Sequence, residues 1–216
     1  MGGAALVAVI AVIGVAAWAL WGGDDTVSTA SGTTVADATG QTASDAPCPP
    51  AGGTDERITS FDGPPRECID PSKEYSAEFV TSAGNFTASL DAQAAPTTVN
   101  NFVVLARSHF YDGIPFHRVV PNFVVQGGDP TGTGWGGPGF TLPAEPGSRL
   151  DGDDYRRGAI GIADAGKDTG GSQWFAMHAP APHLEGRYTW VGRVISGADV
   201  LDRLQIGDRI IRARFE

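Results

Sequence analysis

From Tyr75 onward the chain is a succession of short apolar runs, each cut off by glycine, proline or aspartate. The runs are Phe116–Val120, Phe123–Gln126, Gly158–Ala163, Gln173–His178, Tyr188–Val194 and Arg209–Phe215. Segments this short suit strands and leave little room for helices. With 30 glycines and 15 prolines in 216 residues, the chain is rich in turns. YSAEFVTSAGNFTASLD, from Tyr75, reads as two strands joined at Ser82-Ala83-Gly84-Asn85, a hairpin signal. Pro96 opens a helix whose Val99, Phe102, Val103 and Ala106 share one face. Gly197–Leu204 supports a second short helix through Val200, Leu201 and Leu204. The pattern predicts a mainly β domain, a small closed or nearly closed barrel with two helices.

This domain is expected at residues 56–216, with an extension reaching to about residue 74. Ahead of it, Ala4–Trp21 is an uncharged apolar stretch of 18 residues. At about 1.5 Å per residue it reaches roughly 27 Å, enough for a bilayer core. Trp18 and Trp21 stand at its end, as an aromatic belt would. Residues 1–22 are therefore expected to anchor the chain in the cell membrane as a single pass, with the rest extracytoplasmic. Ala17-Trp18-Ala19 also fits a signal-cleavage site, which makes secretion the alternative. Residues 23–55 are Gly, Ser, Thr, Ala, Asp and Pro with few large apolar side chains, and read as a flexible linker. In an oxidising compartment Cys48 and Cys68 are expected to pair. The loop closed would hold about 20 residues, worth roughly 3 kcal/mol in the chain-entropy account.

Several chemistries find no support. A net charge of −10 argues against nucleic acid as a partner. Gly132–Gly137 matches a dinucleotide fingerprint, but Pro138, Gly139 and Pro143 follow where a helix would have to open. The tract reads instead as a loop requiring positive φ angles. His109, His117, His178 and His183 have no metal-ligand spacing, so neither metal nor cofactor is expected. Ser172 lies in GGSQW, which is no nucleophile elbow. Asp151-Gly152-Asp153-Asp154 lacks the calcium-loop pattern. What remains is a cation, two amides and several apolar groups. Arg118, Phe123 and Gln126 stand close on consecutive strands, and Gln173, Phe175, His183, Leu184 and Tyr188 form a second cluster. Such a set suits an apolar pocket with a few placed polar groups.

FHRVVPNFVVQGGDPTGTGWGG, followed by GSQWF, an L-x-G-x-Y segment and VGRV, resembles the cyclophilin family of peptidyl-prolyl cis-trans isomerases over about Tyr75–Arg214. The resemblance implies an eight-stranded antiparallel β-barrel capped by two helices. It implies Arg118 as catalytic arginine, Phe123, Phe175 and Leu184 as proline-pocket walls, and Gln126 and Gln173 as grips on the substrate backbone. Ala163-Asp164-Ala165 would be the peptide-binding strand. Val124 stands where Met is common, Asp164 where Asn is common, His183 where many members carry Trp, and Tyr188 where many carry His. The substrates implied are proline-containing peptides and unfolded exported proteins. Weak cyclosporin binding is expected, since His183 offers less apolar surface than an indole. A proline-peptide-binding module or chaperone with little turnover is the alternative function.

Overall fold

A computed structural model of the protein describes residues 40–146 and 154–216. The expected anchor lies outside the described residues. Among those described, no helix is long and apolar enough to cross a membrane.

The described residues form eight strands: β1 (Glu74–Thr81), β2 (Gly84–Asp91), β3 (Arg118–Val120), β4 (Val124–Gly127), β5 (Ala159–Ile162), β6 (Trp174–Met177), β7 (Trp190–Ser196) and β8 (Ile210–Phe215). Two helices, α1 (Pro96–Arg107) and α2 (Ala198–Arg203), accompany them. The strands form one antiparallel sheet in the order β3-β4-β6-β5-β7-β2-β1-β8. The β1–β2 hairpin turns at Ser82-Ala83, with Thr81 facing Gly84.

The sheet is curled but its ladder is open, which corrects the expectation of a closed barrel. β3 and β8 are its two edges. Among the described residues the seam is spanned by the isolated bridge Pro115–Arg209, with backbone bonds between Ile114 and Ile210 and between Phe116 and Asp208 beside it. Pro115 has no N–H to extend a ladder, and β3 has only three residues with which to continue one.

Inside the curl lies an aromatic core. Phe79 and Phe86, paired across β1 and β2, stack with ring centroids 4.8 Å apart, and Trp174 lies 4.9 Å from Phe79. Phe102 of α1 packs on Phe79, Trp174 and Phe215. The N-cap position of α1, Ala95, has no capping side chain. Glu145 takes that role from a distant loop. Its carboxylate accepts the N–H groups of Thr97 and Thr98 and the Thr98 hydroxyl at 2.6–3.1 Å.

Residues 40–55, expected to be part of a flexible linker, are instead fixed on the domain. Backbone bonds do what apolar side chains cannot. Ser44 N–H donates to Pro64 O (2.7 Å), and Thr54 and Ile58 donate to the carbonyls of Arg107 and Ser108 at the end of α1. Those carbonyls are the ones a helix leaves unsatisfied. Cys48 and Cys68 form a disulfide with Cα atoms 5.5 Å apart. The buried Asn100 of α1 accepts from Cys68 N–H (2.7 Å) and donates to Arg66 O (2.8 Å). Phe61 packs its ring against Phe110 and Phe140 and donates its N–H to Pro138 O. The extension thereby reaches the glycine-rich loop.

Candidate functional site

Strand alternation divides β6 between two environments. Trp174 points into the core, while Phe175 points out of the curl into a smaller cluster with Val124, Tyr155, Leu184 and Trp190. Gly161 on β5 lies opposite Phe175, and a Cβ there would come within 2.6 Å of the Phe175 ring and 3.0 Å of Tyr155. Glycine at this position gives the outer cluster its depth.

The cluster lines a cavity of about 220 Å³ bounded by Arg118, Phe123, Val124, Gln126, Ala163, Asp164, Phe175, Leu184 and Tyr188. Nine of the expected site residues thus meet at one depression. Arg118 opens β3 and is exposed; Phe123 sits in the turn before β4; Leu184 ends a short 3₁₀ turn, Pro182–Leu184. The Phe175 and Tyr188 rings meet edge to face at 5.6 Å. His183 lies outside the cavity wall, exposed, its ring stacked on Phe123 at 6.0 Å. Ala165 and Gln173 line an adjoining groove rather than the cavity. Cys48 and Cys68 belong to the extension.

The polar side of the site is a directional chain. Arg118 and Gln126 face each other across β3 and β4, and the guanidinium donates to Gln126 Oε1 (3.3 Å). Gln126 Nε2 donates to Gln173 Oε1 (3.0 Å). Gln173 Nε2 donates to the carbonyls of Gly134 and Gly136, both at 2.9 Å. The guanidinium also lies 5.8 Å from the Phe123 ring centroid, within cation–π range. Gln126 on β4 and Phe123 in the turn before it therefore hold Arg118 at the mouth of an apolar pocket.

The glycine-rich loop that ends the chain takes the positive φ angles its sequence implied, 69° at Gly132 and 89° at Gly134. The buried carboxylate of Asp129 organises it, accepting from Thr131 N–H (2.7 Å), the Thr131 hydroxyl (2.8 Å) and Gly134 N–H (2.6 Å). Burial opposes its ionisation, but these bonds prevail and hold it below the usual carboxylate range. Burial pushes Asp164 the other way, upward, against the Gly166 N–H that lowers it. Burial also lowers His117, helped by Arg118 and opposed by Asp129.

Two contributors escaped the sequence reading. Tyr155 stacks on Phe175 (6.0 Å) and donates its hydroxyl to Tyr188 O (3.0 Å), fixing the far wall. Burial, with Glu185 adding, raises its pKa, so the hydroxyl keeps its proton. Gln41 reaches the adjoining groove from the extension. Neither lies in an apolar run or near the other site residues in sequence, so no periodicity marks them.

A family model described as "Cyclophilin type peptidyl-prolyl cis-trans isomerase/CLD" matches residues 76–213. Peptidyl-prolyl cis-trans isomerase B of Bacillus subtilis (strain 168) is 49% identical over 124 residues, covering 57% of this chain and 85% of the relative. A peptidyl-prolyl cis-trans isomerase of Helicobacter pylori (strain ATCC 700392 / 26695) is 42% identical over 155 residues, covering 66% and 94%. Among solved structures, a Cryptosporidium parvum cyclophilin type peptidyl-prolyl cis-trans isomerase crystallised in the presence of the dipeptide Ala-Pro superposes with a TM-score of 0.61 at 30% identity, covering 65% of this chain and 98% of that one.

Proposed function

The chain belongs to the cyclophilin-type peptidyl-prolyl cis-trans isomerases and accelerates rotation about X-Pro peptide bonds, and from that premise we propose how its site works and where it acts. The barrier to be lowered is about 18–20 kcal/mol, the cost of breaking amide resonance. Uncatalysed exchange takes tens of seconds. Acceleration of roughly 10⁴–10⁵ requires about 5–7 kcal/mol. The proline ring sits among Phe123, Phe175, Leu184 and Tyr188. In the twisted transition state the prolyl nitrogen becomes pyramidal and gains a lone pair. Arg118 donates to it a hydrogen bond that the planar ground state accepts poorly. A charge-assisted bond contributes about 1.5–3 kcal/mol. The remainder comes from an apolar pocket shaped to the twisted amide and from backbone grips at Gln126, Gln173 and Ala163–Ala165.

The observation that carries this reading is the guanidinium held at the cavity mouth by Gln126 and Phe123. NMR exchange or a chymotrypsin-coupled assay on an X-Pro peptide tests it, comparing the full protein with Arg118→Ala. Retained peptide binding without turnover by the unmodified protein would mark a binding module instead.

The same proposal sets the domain outside the membrane, tethered by Ala4–Trp21, acting on exported proteins as they fold; secretion after cleavage is the variant form. The Cys48–Cys68 disulfide supports an oxidising compartment. Protease accessibility on intact cells tests the placement. Weak cyclosporin binding belongs to the same reading, through the exposed imidazole of His183.

A further inference from the structure

The proline cavity does not end at Asp164. It shares Gln126, Ala163 and Asp164 with a neighbouring groove of about 610 Å³, so a peptide whose proline fills the first can run into the second. Most of the groove is built from the glycine-rich loop and the connection between β5 and β6, but one wall residue comes from elsewhere. Gln41 belongs to the extension, a hundred positions from its partner. Its Nε2 donates to the Thr141 hydroxyl (3.0 Å) and its Oε1 accepts Thr141 N–H (3.4 Å). The clasp fixes the amide on the groove wall. The segment carrying it is itself pinned, by Ser44 N–H on Pro64 O, by the Cys48–Cys68 disulfide, and by Phe61 N–H on Pro138 O within the groove's own loop.

The chemistry of the groove is specific. Its described lining includes the amide of Gln41, the hydroxyls of Thr141 and Thr169, and the carboxylate of Asp164. Among the described residues no lysine, arginine or histidine lines it. A cationic or hydrogen-bonding side chain finds partners there. A carboxylate would lose water, meet like charge and gain no cation in return.

We propose that the disulfide-held extension is part of the substrate site, and that Gln41 is a specificity-determining residue. The groove it walls selects a cationic or amide-bearing side chain near the proline over an acidic one. This inference rests on the isomerase reading of the adjoining cavity.

The test is a set of X-Pro peptides identical except at one flanking position, which carries Lys, Gln or Glu. That position is scanned through the three residues on either side of the proline. NMR exchange gives kcat/KM for the full protein, for Gln41→Ala and for Gln41→Glu. At one position the unmodified protein should favour Lys and Gln over Glu by about three- to tenfold, the scale of one hydrogen bond or one screened charge. Gln41→Ala should shrink the Gln-to-Glu ratio by about threefold or more. Gln41→Glu should widen the Lys-to-Glu ratio instead, which a purely structural role for Gln41 cannot do. Equal scaling of all peptides in both variants, or ratios within twofold of the unmodified protein, overturns the inference and leaves the isomerase reading standing. Absence of turnover by the unmodified protein overturns both.

Discussion

Trp174 and Phe175 are neighbours on one strand and do opposite work. Trp174 is wholly enclosed, with Phe79, Phe102 and Phe116 around it at centroid distances of 4.9–6.1 Å. Phe175 faces outward, flanked by Tyr155 and Tyr188, and leaves space beside it for a ligand. The inner surface of the sheet is filled; the outer one is kept concave by Gly161 and supported at its edges. A strand with a period of two lets a single sheet serve stability on one side and recognition on the other with no shared side chain. The two sides should therefore respond independently to substitution.

The sharpest way to break that separation is Trp174→Ala. Removing a buried indole should destabilise the fold by about 3–5 kcal/mol in denaturant unfolding, while any protein still folded keeps its turnover. A parallel loss of kcat in the folded fraction would show the faces to be coupled. Arg118→Ala is the converse. It should lower kcat/KM by about tenfold to a few hundredfold, with peptide affinity and thermal midpoint little changed. Activity within twofold of the unmodified protein would remove Arg118 from the reaction.

Asp129→Asn tests the loop that joins the two sides, since Asp129 is buried yet ends the chain of bonds running to Arg118. Loss of its charge-assisted bonds should cost about 1.5–3 kcal/mol. Because its folded pKa is depressed, its contribution is present above the ordinary aspartate value near 4 and fades as pH falls through the lower folded value. The variant's unfolding curve should be flatter over that acid range; an unchanged slope would refute the assignment. His183→Trp should improve cyclosporin inhibition by about 30-fold, or about 2 kcal/mol, with little effect on short peptides. Equal inhibition would place residue 183 off the ligand. Smallest is Tyr155→Phe, which removes the bond to Tyr188 O and should raise KM by about fivefold, roughly 1 kcal/mol, leaving kcat nearly intact. A fall in kcat alone would mean that the far wall shapes the transition state instead.

How far the sequence foretold this molecule depended on what kind of force holds each part. The hairpin, α1 and the short strands are legible because burial imposes periodicity, as in the alternating buried residues of β1 and β2. Arg118, Phe123, Gln126 and Phe175 are legible because they lie in compact motifs on adjacent strands. The open seam is not, because its cause is the missing N–H of Pro115 at a meeting with Arg209, a pairing that no local pattern announces. The order of residues 40–55 is hidden for a related reason. Their attachments are backbone hydrogen bonds and a disulfide, and neither leaves a mark on hydropathy. Gln41 and Tyr155 come from outside the motifs altogether.

The direction of the amide chain also bears on which codons these positions tolerate. Glutamine and glutamate differ by a single-base change, yet the two glutamines are not equivalent under it. At position 173 the side chain must donate to two glycine carbonyls, so Gln173→Glu sets oxygen against oxygen. At position 126 a glutamate could still accept from Arg118, but it would face the Gln173 oxygen and pair with the guanidinium at the pocket mouth. The first change fails through geometry alone, the second through charge as well. Gly134 and Gly136, which have no side chains, set this asymmetry because a carbonyl can only accept.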